Sequence, residues 1–499
     1  MDRLFSDLVQ YQKLFQMIFM LGIGGCFTIG FQISMINYPS VHVKRFINET
    51  WLERYGSPLH QKTLMLIWSS IVSIYGIGGL LGCLCSGYLT TKYGKKNCLM
   101  YNNLLIIATA FLMGFSKMAK SFEMVLSGRF FYGISAGFCM TIHPQYAGEV
   151  SPKKLRGFAN SSAGLFWSLG KVLGQIMGLS EFLGTESLWP LLMAFIGIAA
   201  LIQLVTLPFF PESPPYLLIQ KDDEEGCLKA MDKLWGEMDH QAELNDMKEE
   251  KAATKSIKSM SILQVMKDPS LRWQLYILVT VIIVMQLCGI NAVYFYTFEV
   301  LCTAGFEEGR IPYISLGVGL CELFSTILCT FTIERFGRKT LLWKGYAMMA
   351  LVLVLLTITL SLQNKYNWTS YCSVILIFLF VFFFGIGPCG ATMSIMVEIF
   401  NQSSRSSAFV IGGCLNWVGL FVIGMIFPFI VESLGPFCFL IFMGVVVGSG
   451  IFIYLFLPET KGKSVTEITE EFTKLYSGNK LSSIVRRNFL EEHMSYTSF

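Results

Sequence analysis

Charge is scarce in this chain. Only 14% of its 499 residues are Asp, Glu, Lys or Arg, against 53% hydrophobic residues and a mean hydropathy of +0.55, which excludes an ordinary soluble enzyme. Basic residues form no nucleic-acid patch, and the net charge is only +4. The 14 cysteines show no metal-ligand spacing; most, such as Cys26, Cys288 and Cys414, fall inside apolar runs and read as small buried hydrophobes. There is no nucleophile–base set and no phosphate-binding loop, so no catalytic residue, cofactor or metal is expected. The opening MDRLFSDLVQYQKLF lacks the basic, apolar, small-residue order of a cleaved signal, so the first apolar run is expected to act as the insertion signal.

What the chain has instead is apolar length. Runs long enough to cross a bilayer fall near 15–37, 66–89, 98–117, 123–147, 158–180 and 188–209, and again near 274–297, 311–333, 341–362, 371–397, 406–430 and 435–457. The expected fold is therefore an all-α membrane protein with twelve transmembrane helices in two six-helix bundles, 1–211 and 273–457. The hydrophilic stretch 212–272, with text such as DDEEGCLKAMDKLWGEM, reads as a linker of short amphipathic helices, and 458–499 as a tail. Lys92, Lys95, Lys96, Lys153, Lys154, Arg156, Arg335, Arg338 and Lys339 crowd the short connections that an N-inside topology puts in the cytosol, so both termini are expected there. Asn48-Glu49-Thr50 is a glycosylation sequon in the first outside loop. The terminal Thr497-Ser498-Phe499 offers the kind of carboxylate that a PDZ domain binds.

The scarce charges repeat. Glu149 and Arg156 stand seven apart, and Glu398 and Arg405 repeat the pair about 250 residues later. Gly94-Lys95-Lys96 and Gly337-Arg338-Lys339 recur at nearly the same offset, as do Pro211-Glu212-Ser213 and Pro458-Glu459-Thr460. Such a duplicated bundle is the usual plan of a secondary transporter. Glu149 with Arg156, Glu334 with Arg335 and Arg338, and Glu398 with Arg405 are expected to bridge the two halves at the cytosolic face, as a latch for alternating access.

These residues carry a resemblance. Gly128-Arg129, the Glu149–Gly157 run, Pro211-Glu212-Ser213-Pro214, the Glu334–Lys339 run, Gln286–Asn291, Asn416-Trp417 and Pro458–Gly462 are similar to the sugar porter signatures of the major facilitator superfamily. Within that family the chain resembles the facilitative hexose transporters of animals, in the class that includes fructose and urate carriers. The resemblance implies the major facilitator fold and passive uniport of a hexose, glucose and/or fructose, at the plasma membrane. It adds Arg129, Glu212 and Glu459 to the cytosolic latch. A hexose needs amides for its hydroxyls and rings for its C–H faces, which Gln286, Asn291, Asn416, Gln175, Trp417, Phe31, Tyr294 and Tyr296 supply.

The chain also departs from the glucose carriers of the family. Met285 precedes Gln286 where they have a second glutamine, and Gly387–Met393 replaces a proline-rich run in the tenth span, which is expected to be broken there. Two charges interrupt apolar text, Lys171 in the fifth span and Glu322 in the eighth. Such charges are costly in a bilayer and call for a partner or a function. They open a second expectation, an organic-anion (urate-like) carrier using Lys171. A third is a sugar sensor that transports nothing.

Overall fold

The computed structural model describes residues 10–152, 155–236, 240–245, 247–248, 260–295, 301–302, 305–363, 365–366, 368–400, 402–461, 463 and 465–476. α1 (Gln12–Gly24) and α2 (Cys26–Met35) make the first span, and α3 (Ser40–Tyr55) separates it from α4 (Gln61–Tyr93), the second. α5 (Lys95–Gly114), α6 (Phe122–Glu149) and α7 (Arg156–Met177) are the third to fifth; α8 (Trp189–Ala194) with α9 (Ile196–Thr206) is the sixth. Short helices follow, among them α10 (Pro214–Ile219), α11 (Glu224–Trp235) and α12 (Ile262–Lys267). α13 (Arg272–Leu287) with α14 (Ile290–Phe295) is the seventh span, α15 (Ile311–Phe336) the eighth and α16 (Arg338–Leu362) the ninth. α17 (Trp368–Phe384) with α18 (Gly390–Glu398) is the tenth, α19 (Gln402–Leu434) the eleventh, α20 (Cys438–Phe456) the twelfth, and α21 (Val465–Tyr476) follows.

Among the described residues ten stretches are long and apolar enough to cross a bilayer, and one of them, Ser407–Phe456, takes in α20 and all of α19 after Ser406. α7 completes the set despite Lys171 and Gln175, whose polarity lowers its hydropathy. Inside each half the helices approach closely through small residues, as expected where lipid removes the hydrophobic drive to associate. A Cβ on Gly133 of α6 would lie 2.2 Å from the Tyr75 carbonyl oxygen of α4. The halves meet along α4 and α19, α7 and α15, and α2 and α14. We call the end carrying α3 the far end, and the end carrying Gly94, Glu149 and α10–α12 the linker end.

Among the described residues four spans are interrupted, the sixth at Phe195 between α8 and α9. The first breaks at Gly25, and neighbours take up the freed backbone groups: Cys26 N donates to His143 Nδ1 at 3.2 Å, and Gln203 Nε2 donates to Met20 O at 2.9 Å. The seventh breaks at Cys288-Gly289, where Gly289 has φ +99°, a left-handed value that glycine alone adopts freely. The tenth carries a π turn over Gly385–Cys389 with Pro388 inside it. At the linker end α11 docks by its apolar face, and Trp235 Nε1 donates to Val150 O at 2.9 Å.

Candidate functional site

Three amides from three helices form one chain. Gln286 near the end of α13 donates from Nε2 to Asn416 Oδ1 of α19 at 2.5 Å, and Asn291 of α14 donates from Nδ2 to Gln286 Oε1 at 2.5 Å. The break at Gly289 makes this possible, because it re-aims α14 so that Asn291 turns back onto α13. Gly419, one turn beyond Asn416, leaves room for Gln286: a Cβ there would sit 2.7 Å from Gln286 Cγ. Asn291 and Asn416 are half-buried, and Asn416 Nδ2 reaches across to Met140 Sδ of α6 at 3.9 Å. The cluster thus keeps amide valences that exchangeable hydroxyl groups can reach.

The other expected contact residues lie elsewhere. Trp417 is buried in the joint between α4 and α19, edge-on to Tyr75 at 5.8 Å and against Gly79, and its Nε1 has no partner among the described residues. Phe31 stacks on Phe195 at 5.4 Å inside the first half, because neighbouring glycines let α2 and α7 close over it. Gln175 donates from Nε2 to Ser315 O at 2.9 Å and so joins α7 to α15. Tyr296 lies outside the described residues.

Lys171 and Glu322 pair. Their Nζ and Oε1 are 2.6 Å apart across the α7–α15 contact, with side chains 7% and 4% exposed. Tyr294 of α14 completes the group, donating its hydroxyl to Glu322 Oε2 while Lys171 Nζ sits 4.1 Å from its ring centroid. Farther out, Tyr38 donates to Pro312 O at 3.2 Å and Tyr313 to Glu181. The far ends of the halves are therefore closed onto each other.

Among the described residues, the repeated charges pair within halves. Lys95 Nζ meets Glu149 at 2.8 Å, and Arg338 Nε meets Glu398 at 3.0 Å. Each pair joins a helix start to the neighbouring helix end of its own bundle, so these described pairs differ from the expected bridges between halves in this arrangement. Glu212 accepts from Lys96 N at 3.1 Å and Ser213 N at 3.0 Å, and Glu459 accepts from Arg338 N at 2.9 Å. The two glutamates thus cap α5 and α16, whose N-terminal N–H groups need acceptors. Burial raises the Glu212 carboxyl above its ordinary pKa. Arg405 donates to Phe400 O at 3.1 Å, Arg335 is exposed, and the side chains of Arg156 and Glu334 lie outside the described residues.

Arg129 is a second correction. It stands 20 residues before Glu149 on the same helix, roughly 30 Å away along the axis, so it belongs toward the far end. There it is fully buried, donating to Ile71 O at 3.3 Å and to Gln32 O and Oε1 at 3.2 and 3.1 Å, with Tyr75 under its guanidinium at 4.5 Å. Helix counting along α6 would have found this depth, whereas the motif alone did not. His143 and Gln203, which secure the first-span break, went unnoticed because nothing in the local text marks them.

Two six-helix bundles around a half-buried polar cluster, closed at one end by contacts between the halves, define a membrane transporter of the major facilitator fold. The family described as "Sugar (and other) transporter" matches residues 17–472, and the chain belongs to it. Human facilitated glucose transporter member 11 is 42% identical, over 95% of this chain and 95% of its own length. Human members 9 and 5 are 39% and 38% identical, over 90% and 92% of this chain and 84% and 91% of their own lengths. The inward-open xylose transporter XylE from E. coli superimposes with a TM-score of 0.75, covering 92% of this chain and 99% of its own at 21% identity, a likeness of fold. The protein is a multi-pass membrane transporter and not an enzyme.

Proposed function

We propose that the protein carries a hexose, glucose and/or fructose, across the plasma membrane by facilitative uniport with alternating access. The observation that carries this reading is the Asn291–Gln286–Asn416 chain, whose two 2.5 Å bonds a sugar's hydroxyls would replace like for like. The names of the relatives, facilitated glucose transporters, agree with it. Both termini are cytosolic in this reading, so the linker end faces the cytosol. Asn48, exposed on α3, is then an outside glycan acceptor. PDZ binding stays a minor proposal, since Thr497–Phe499 lie outside the described residues. Passive transport is favoured because Glu322, the membrane carboxylate that could take up a proton, is held by Lys171 and Tyr294. The same pair argues against an organic-anion carrier using Lys171, whose charge is already neutralised.

Uptake of labelled glucose, fructose and urate into proteoliposomes tests the reading. Glucose or fructose is expected to enter, insensitive to a proton ionophore, and Gln286→Ala or Asn291→Ala to slow entry about tenfold or more. Urate entry alone would favour the anion carrier, and entry of none would favour the sensor.

A further inference from the structure

We propose that Tyr294 is a positioning residue that ties occupancy of the amide cluster to a bolt, the Lys171–Glu322 pair, which holds the far ends of the two halves together. The coupling rests on the hexose reading above; the bolt does not. Lys171 belongs to the first half and Glu322 to the second, so the 2.6 Å pair spans the seam that must open for the far end to admit solute. Both groups are buried, and separating them dry would strand two charges. When the seam opens, water replaces each partner, and hydrated charges interact weakly. The pair therefore favours two arrangements, closed and dry or open and wet, over anything between.

Tyr294 touches both partners. Its hydroxyl fills the carboxylate oxygen that Lys171 leaves free, and its ring faces the ammonium. It shares α14 with Asn291, three positions earlier, which puts the two side chains on neighbouring parts of one surface. Gly289 frees the start of α14 from α13, so α14 can turn without turning α13. A hydroxyl that takes Asn291 from Gln286 removes the bond that fixes α14 on one side. Among the described residues, the side-chain bond from Tyr294 to Glu322 still ties α14 on the other side. Filling the site thereby loosens the bolt, through the turn of α14.

The test uses Ser315→Cys as a reporter in the full chain, because Ser315 is buried at the α7–α15 seam. A water-soluble maleimide is applied to purified protein, and labelling of the chain without the reporter is subtracted. Tyr294→Phe keeps the ring and removes the hydroxyl from a charged acceptor, and is expected to speed reporter labelling about tenfold. Glu322→Gln should do the same, and the exchange Lys171→Glu with Glu322→Lys should restore protection, which separates a bolt from mere loss of folding. Equal labelling in the reporter chain and in its Glu322→Gln variant overturns the bolt, and equal labelling in its Tyr294→Phe variant overturns the part given to Tyr294. The sugar that is carried should itself alter labelling, and Tyr294→Phe should abolish that response; a response that persists overturns the coupling. If neither glucose nor fructose is carried, the hexose reading and the coupling built on it fail together, and the labelling rates still decide the bolt.

Discussion

At the scale of single residues, the repeated glutamates matter first as helix caps. Glu212 and Glu459 each close a helix that starts at a glycine of almost identical geometry, φ +85° at Gly94 and +86° at Gly337. Burial opposes the charge of Glu212, yet the N–H groups of Lys96 and Ser213 need only an acceptor oxygen. Glu212→Gln keeps that oxygen and drops the charge, so it should melt close to the parent. Glu212→Ala should cost about 1 kcal/mol, the usual value of a lost cap, as a lower melting temperature in detergent. A residue-scale reading of the sequence reached the identity of these positions but not their job. The motif Pro-Glu-Ser sits far from Gly94 in the text, and only the fold brings its carboxylate to the start of α5. The amide pair was more legible, because Gln286 and Asn291 lie five apart around a glycine and a broken helix lets them touch.

At the scale of elements, the broken spans divide into those that sequence can reveal and those that it cannot. Pro388 among glycines announces the interruption of the tenth span, and the π turn lies there. Gly24-Gly25 in the first span carries no such mark, since glycine is common in membrane helices. Its break survives because polar side chains from other helices take the freed groups: His143 from α6, and Gln203 from α9, which also accepts from Asn103 Nδ2 at 2.8 Å. Gln203→Leu would leave the buried Asn103 amide without its acceptor and remove a donor from the Met20 carbonyl. The expected loss is about 2 kcal/mol or more, read as a fall in melting temperature. If Gln203→Leu melts with the parent, the first span can heal into a continuous helix and needs no support.

At the scale of the molecule, the duplication explains why similar charges sit at matching positions, and the structure changes what they do. A latch between halves was the natural inference from acid and base repeating in register. But a repeat also places each acid beside a base of its own half, and here the near partner wins: Lys95 holds Glu149, and Arg338 holds Glu398. A contact within one rigid half has the same length whichever end of the transporter is open, so it cannot bias the choice between the two. The Lys171–Glu322 pair crosses the seam and can. The two kinds of contact therefore separate experimentally. Glu398→Gln should lower the melting temperature, because it weakens the tie to Arg338 in a partly buried site. It should leave maleimide labelling of the Ser315→Cys reporter unchanged. Glu322→Gln should speed that labelling strongly. Were Glu398→Gln to speed reporter labelling as much as Glu322→Gln does, the pins within halves would take part in the rocking, and the division between rigid body and moving seam would lie elsewhere.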